Sequence, residues 1–186
     1  MDQAKIKQEL AALAAEGLPE PEPVEETPPE AEAAAEEPAD DKPKKKKAKE
    51  EPRINGLIET DYAARGTHVD VQVNPDQVVR AAEILDSEGM TLEAVTGVDW
   101  LKEKQMEVIY DYSFTGGPLF RVVVRTRIDR AQPDIPTISS VFPGANWHER
   151  ETFDFFGINF TDHPQLEYLL LPEDADFHPL LKDYKP

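Results

Sequence analysis

Every aromatic side chain of this 186-residue sequence lies beyond Pro52, and no other feature restricts its fold so sharply. Residues 1–52 hold 8 of the 17 prolines but none of the 8 Phe, 5 Tyr and 2 Trp. Large apolar side chains dominate core energetics, so the packable region is residues 53–186. A domain of about 130 residues buries about two-thirds of its unfolded surface, enough for one ordinary core. Residues 1–52 are therefore expected to be a low-complexity, largely disordered extension, with too few apolar groups to offset the entropy of ordering. Within it, residues 2–16 place Ile6, Leu10 and Leu13 on one helical face, a helix that is marginal if it stands alone. The block Lys44–Lys47 sits between acidic runs that partly cancel it and reads as solvated linker.

Charge and cysteine content exclude several classes of function. The net charge is −18, made of −7 in residues 1–52 and −11 in residues 53–186. Nucleic-acid affinity comes largely from counterions displaced by Lys and Arg, so an acidic chain is not expected to bind nucleic acid. There is no cysteine, hence no disulfide, no thiolate-bound zinc and no Cys to hold an iron–sulfur cluster in this chain. No run of about 20 apolar residues spans a membrane, and the first 17 residues lack a secretory apolar core.

Periodicity predicts an α+β fold. Thr67, Val69, Val71 and Val73 alternate with polar residues as a half-buried strand. Asn74, Pro75 and Gln77 then form a capping signature for a helix through Val78, Val79, Ala82 and Leu85, with Gly89 as its exit. A strand follows around Leu92–Val98. Gln105–Phe114 alternates with Met106, Val108, Tyr110 and Tyr112 on one face, and Leu119–Ile128 pairs with it across the turn Thr115-Gly116-Gly117-Pro118. These elements predict an antiparallel or mixed sheet with helices on one face. Short helices are expected around Thr137–Val141 and from Asn146 to Phe155. The domain thus spans 53–157, and residues 158–186 form an extended, proline-punctuated tail that needs a surface to lie on.

The chemistry-bearing residues are few. His148-Glu149 begins like a zinc-protease helix, but the second His of that motif is replaced by Thr152. His68, His163 and His178 show no ligand spacing, and no nucleophile elbow or phosphate-binding glycine loop is present. No catalytic, cofactor or metal residue is therefore expected in this chain. The unusual segment is 146–157, NWHERETFDFFG. Glu149, Arg150, Glu151 and Asp154 crowd charge into two turns, beside Trp147, Phe153, Phe155 and Phe156. Such a helix either pairs its charges along its surface or, with aromatics next to Arg, anchors an interface.

The run Glu149-Arg150-Glu151-Thr152-Phe153-Asp154-Phe155-Phe156-Gly157-Ile158, followed by His163-Pro164, resembles the signature of the 30 kDa subunit of complex I, the NADH–quinone oxidoreductase of bacteria. Upstream, Ile135-Pro136-Thr137-Ile138 and Phe142-Pro143-Gly144-Ala145-Asn146-Trp147 fit the same family. Downstream, Leu171-Pro172-Glu173-Asp174, His178-Pro179-Leu180 and Lys182-Asp183-Tyr184 fit its closing segment. Two segments depart from the pattern: Gln165-Leu166-Glu167-Tyr168 stands where family members usually carry an acidic residue, Leu and an Arg pair, and Leu181 stands where they carry Arg.

The resemblance implies a non-catalytic hydrophilic-arm subunit, peripheral on the cytoplasmic side of the cell membrane. It would scaffold a 49 kDa-type large subunit and a small iron–sulfur subunit, which with their neighbours carry the clusters and the flavin or nickel–iron centre. The interface residues would be Trp147, Glu149, Arg150, Glu151, Asp154, Phe156, His163, Pro164, Pro172, Asp174, His178, Pro179, Lys182 and Asp183. Energy-converting membrane-bound [NiFe] hydrogenases and related dehydrogenases use a homologous subunit and supply the alternative reading. A stand-alone adaptor working through residues 1–52 is the more remote one.

Overall fold

The computed structural model describes residues 1–17 and 55–185. The first element is the amphipathic helix α1, Gln3–Glu16, capped by the Asp2 carboxylate, which accepts from the Ala4 and Lys5 amides. It buries Ile6, Leu10, Leu13 and Ala14 in the same core as the later strands. Packing thus stabilises a helix too short to persist alone, and its residues do not share the character expected for the extension 1–52. Lys5 pairs with Glu88, and Lys7 with Glu59. Residues 18–54, including the Lys44–Lys47 block, lie outside the described residues.

The body contains β1 Gly56–Glu59, α2 Tyr62–Arg65, β2 Val69–Gln72, a 3-10 turn Pro75–Gln77, α3 Val78–Ser87, β3 Thr91–Trp100, β4 Gln105–Phe114 and β5 Phe120–Asp129. A second, small sheet follows from β6 Asp134–Pro136 and β7 Asn159–Thr161, flanking α4, Ala145–Phe156. The main sheet has the order β1-β2-β5-β4-β3. It is mixed: β2 and β5 run parallel, and the other pairs are antiparallel. The β4–β5 hairpin is in continuous register from Gln105↔Asp129 to Phe114↔Phe120.

Two faces follow from that register. Val69, Val71, Met106, Val108, Tyr110, Tyr112, Val122 and Val124 form the inner face and are buried under α1, α3 and α4. The Asn74/Gln77 capping box is present and Gly89 takes the left-handed conformation, so the local signals for the α3 segment are met. Strand β2, expected to be half-buried, is buried at all four positions. Its neighbours β1 and β5 flank it on both edges, and the Asp70 carboxylate pairs with Arg125 at 3.0 Å on the outer face.

The helix expected at Thr137–Val141 is absent; the chain there forms turns. The Ile138 amide, which a helix would leave to solvent or a cap, instead donates to the Glu149 carboxylate at 2.8 Å. That bond ties the turn to α4. Helix α4 matches its expected span and stops where Gly157 enters the left-handed region at φ 73°. It crosses β3 closely: a Cβ on Gly97 would lie 2.7 Å from Phe156 Cδ2.

Candidate docking site

Helix α4 divides into faces by its 3.6-residue period. Ala145, Glu149, Thr152 and Phe156 turn toward the sheet, while Arg150 and Asp154, one turn apart, turn toward the tail. Asp154 is fully enclosed. Its carboxylate accepts the successive amides of Leu169, Leu170 and Leu171, at 2.6 to 3.0 Å for Oδ2. Charge-assisted bonds to three adjacent amides fix a stretch of backbone that has no regular structure of its own. Arg150 completes the clamp, donating through Nε to the Glu167 carbonyl and through an Nη to the Tyr168 carbonyl, both at 3.0 Å.

Further along, His178 Nδ1–H donates to the Asp154 carbonyl at 2.8 Å, and the Leu180 amide reaches the Phe155 carbonyl. The Lys182 amide donates to the Asp99 carboxylate at 2.8 Å, while its ammonium lies 5.6 Å from the Trp100 ring centre. Asp99 and Trp100 point to opposite faces of the edge strand, so the tail rounds that edge and shields it. Arg130 ties both parts together through Asp99 and Asp183. Burial opposes the charged form of Asp99, but the Arg130 guanidinium and the Lys182 amide outweigh it and hold the carboxyl below its usual range.

Of the residues expected to contact another chain, Glu149, Arg150 and Asp154 are instead consumed inside this one. Their side chains are buried, and the partners are the chain's own tail and the Thr137–Ile138 turn. The alternative, ion pairs along the helix surface, is not realised among the described residues either. Phe156 packs against Gly97, and the His163 ring is enclosed, with Nδ1 accepting from the Gln165 amide at 3.0 Å. His178 and Pro179 are half-buried against α4. Trp147, Glu151, Pro164, Pro172, Asp174, Lys182 and Asp183 are exposed, although Lys182 and Asp183 also make the internal bonds above.

Among the groups the clamp leaves outward are several large apolar side chains. Trp147 is 60% exposed, Leu170 61% and Leu180 52%, and the Phe177 ring stacks on Tyr184. Leu170 projects from the backbone that Asp154 holds, and Trp147 lies beside the Arg150 guanidinium at 5.4 Å. The anchors Asp99, Arg130 and Thr137 were not singled out by the sequence. Each is an isolated polar residue whose partner lies 12 or more positions away, and local spacing carries no sign of such pairs.

Glu149 sits differently from Asp154. It is 0% exposed, accepts from the Ile138 amide and the Thr137 hydroxyl, and has His163 Nε2 at 3.6 Å. Burial pushes its carboxyl up to about 7, against the lowering effect of its two hydrogen bonds. Burial, reinforced by the charge of Arg150, also lowers the His163 ring from its ordinary value.

The chain is thus a mixed sheet covered by helices on one face, with a clamped tail around which several large apolar side chains are exposed. Residues 71–186 match the family described as the 30 Kd subunit of the respiratory-chain NADH dehydrogenase, and the chain belongs to it.

Its relatives include the C-type subunit of NADH-quinone oxidoreductase from Roseiflexus sp. (strain RS-1), 44% identical over 119 residues, covering 61% of this chain and 67% of that one. The equivalent NADH-quinone oxidoreductase subunit from Xanthobacter autotrophicus is 37% identical over 136 residues, covering 70% of this chain and 64% of that one. Among solved structures, a chain of the membrane-bound sulfane sulfur reductase, an archaeal respiratory membrane complex, superposes with a TM-score of 0.57 and 26% identity. That match covers 63% of this chain and 71% of the other. A trypsin-resistant fragment of Nqo5 shares the fold at a TM-score of 0.52 and 24% identity, over 60% of this chain and 89% of the fragment. Among the described residues no helix is long and apolar enough to cross a membrane.

Proposed function

We propose that this chain is a non-catalytic, hydrophilic-arm subunit of a complex I-type NADH–quinone oxidoreductase. In this reading it scaffolds the 49 kDa-type large subunit and the small iron–sulfur subunit, and holds no redox centre itself. The clusters and the flavin belong to its partners, and the chain is peripheral, on the cytoplasmic side of the membrane that the complex occupies. The observation that carries this reading is the exposure of Trp147 on α4 and of Leu170 and Leu180 on a tail that α4 holds through Asp154, Arg150 and the Phe155 carbonyl. Exposed large apolar groups on a preorganised surface favour association, because little ordering entropy is then lost on binding. Arg150 and Asp154 therefore act on assembly indirectly, by shaping the surface.

The archaeal structural neighbour favours a second reading, in which the chain serves a related membrane-bound respiratory complex, and we take an energy-converting [NiFe] hydrogenase as the candidate of that kind. Affinity purification of the tagged chain from its native membranes in mild detergent, with mass spectrometry of the co-purifying subunits, separates the readings. A flavin–NADH module supports complex I, and a nickel-binding large subunit supports the hydrogenase type. A chain that comes down alone removes both.

A further inference from the structure

Two buried carboxylates of α4 look alike in sequence and differ in what they can do. Asp154 accepts three backbone amides of the tail. Glu149 accepts one amide and one hydroxyl, and no Lys or Arg of the described residues lies within ion-pair distance of it. From β4, Tyr110 and Tyr112 feel its charge; Tyr110 Oη is buried with no hydrogen-bond partner, and burial together with the Glu149 charge keeps that phenol protonated. From the segment after β7, His163 Nε2 stands 3.6 Å away. On α4 itself, Arg150 is turned to the carbonyls of Glu167 and Tyr168.

The hydroxyl beside Glu149 continues outward. Thr137 Oγ1 contacts Glu149 Oε2 and also Ser139 Oγ at 2.8 Å, and it accepts the Ser139 amide at 3.0 Å. Burial decreases along this row, from enclosed Glu149 through buried Thr137 to half-buried Ser139 and exposed Ser140. Thr137 has one hydroxyl hydrogen and two oxygens that can accept it. With Glu149 ionised, Thr137 donates inward and the Ser139 hydroxyl donates to Thr137. With Glu149 protonated, the carboxyl donates to Thr137, and Thr137 donates to Ser139.

We propose that Glu149 is a buried proton-binding site that exchanges with solvent through the hydroxyls of Thr137 and Ser139. For uptake, water delivers a proton to Ser139 Oγ, the Ser139 hydroxyl proton moves to Thr137 Oγ1, and the Thr137 hydroxyl proton moves to Glu149 Oε2. One O–H bond is gained at the carboxylate, and each hydroxyl again holds one hydrogen, with its direction reversed. Release runs the same steps backward. This coupling joins the proton state of α4 to the turn that leads from β6.

The test is a pH titration of the full-length chain labelled with carbon-13 at glutamate Cδ, followed by NMR. One glutamate should titrate near pH 7, apart from the exposed glutamates, and its resonance should vanish in Glu149→Asp, which keeps a carboxyl but not the label. Ser139→Ala leaves the Thr137–Glu149 contact in place and should keep the midpoint. The same variant should slow exchange between the two forms by at least about tenfold, as expected when a positioned proton carrier is removed. If Glu149 titrates with the exposed glutamates, the buried site is overturned. An unchanged exchange rate in Ser139→Ala overturns the path.

Discussion

At the scale of single residues, the two carboxylates of α4 lead to different expectations, Asp154 on truncation and Glu149 on pH. Asp154→Ala removes the acceptor of three tail amides and leaves them in a poorly solvated site. Hydrogen bonds to a charged group are individually worth about 1.5–3 kcal/mol, but the tail can partly relax, so a loss of about 2–4 kcal/mol is expected in urea unfolding. Glu149 acts through pH. Its folded-state carboxyl is raised from 4.5 to about 7, so the folded chain keeps a proton that the unfolded chain has lost across that interval. The resulting stability is complete below the unfolded value and is gone once the pH passes about 7. His163, lowered from 6.5, works in the opposite sense, with a contribution present above its unfolded value and lost on acidification. Comparing the chain with Glu149→Gln isolates the first effect: the variant should lack a fall on the order of 3 kcal/mol between pH 4.5 and 7. Matching slopes in the two proteins would show that Glu149 is ionised in the folded state. Residue types and spacing brought α4 to notice, but not its bonding, because Glu149, Arg150 and Asp154 find partners on segments that carry no regular pattern.

At the scale of elements, the strands and helices with clean periodicity were legible, and those set by tertiary contact were not. Gln105–Phe114 shows its inner face directly as Met106, Val108, Tyr110 and Tyr112, all of them buried. The turn at 137–141 is tied to Glu149, and β2 is flanked by β1 and β5 with Asp70 paired to Arg125; these groups are distant in sequence, so local propensity misjudged both. Gly97 is the clearest such case. In a run of strand residues it reads as a mild weakness, yet it is where α4 closes on β3, with Phe156 Cδ2 2.7 Å and Thr152 Cγ2 3.0 Å from the place a Cβ would take. Gly97→Ala should therefore lower stability by about 1–3 kcal/mol, the usual cost of overpacking. Phe156→Ala in the same chain should offset part of the steric term. A double-mutant cycle by thermal or urea unfolding reads this coupling, and strict additivity of the two changes would mean that α4 does not press on the strand there.

At the scale of the whole molecule, the N-terminal helix shows how far the aromatic boundary at Pro52 misled. The aromatic residues all lie beyond it, but α1, whose Ile6, Leu10 and Leu13 share one helical face in the sequence, contributes all three to the common core. Its end is pinned to the start of the body: the Gly17 carbonyl accepts from Asn55 Nδ2 at 3.2 Å and from Asn74 Nδ2 at 2.9 Å, and the Leu13 carbonyl accepts from Gln77 Nε2 at 2.7 Å. Residues 17 and 55 are thus neighbours in space, whatever path joins them. Two deletions, one on each side of that junction, should then differ sharply. Removing residues 1–17 uncovers the inner face beside β1 and β2, and each lost Leu or Ile contributes about 1.5–3 kcal/mol of burial, so a domain of ordinary marginal stability should become largely unfolded. Replacing residues 18–54 with about five Gly and Ser residues keeps every contact of α1 with the other described residues and shortens the connection between residues 17 and 55. The closure entropy then falls, and stability should rise by about 1–2 kcal/mol. Far-UV circular dichroism with urea titration measures both variants. Equal damage from the two deletions would mean that residues 18–54 support the core, and equal tolerance would mean that α1 is dispensable to it.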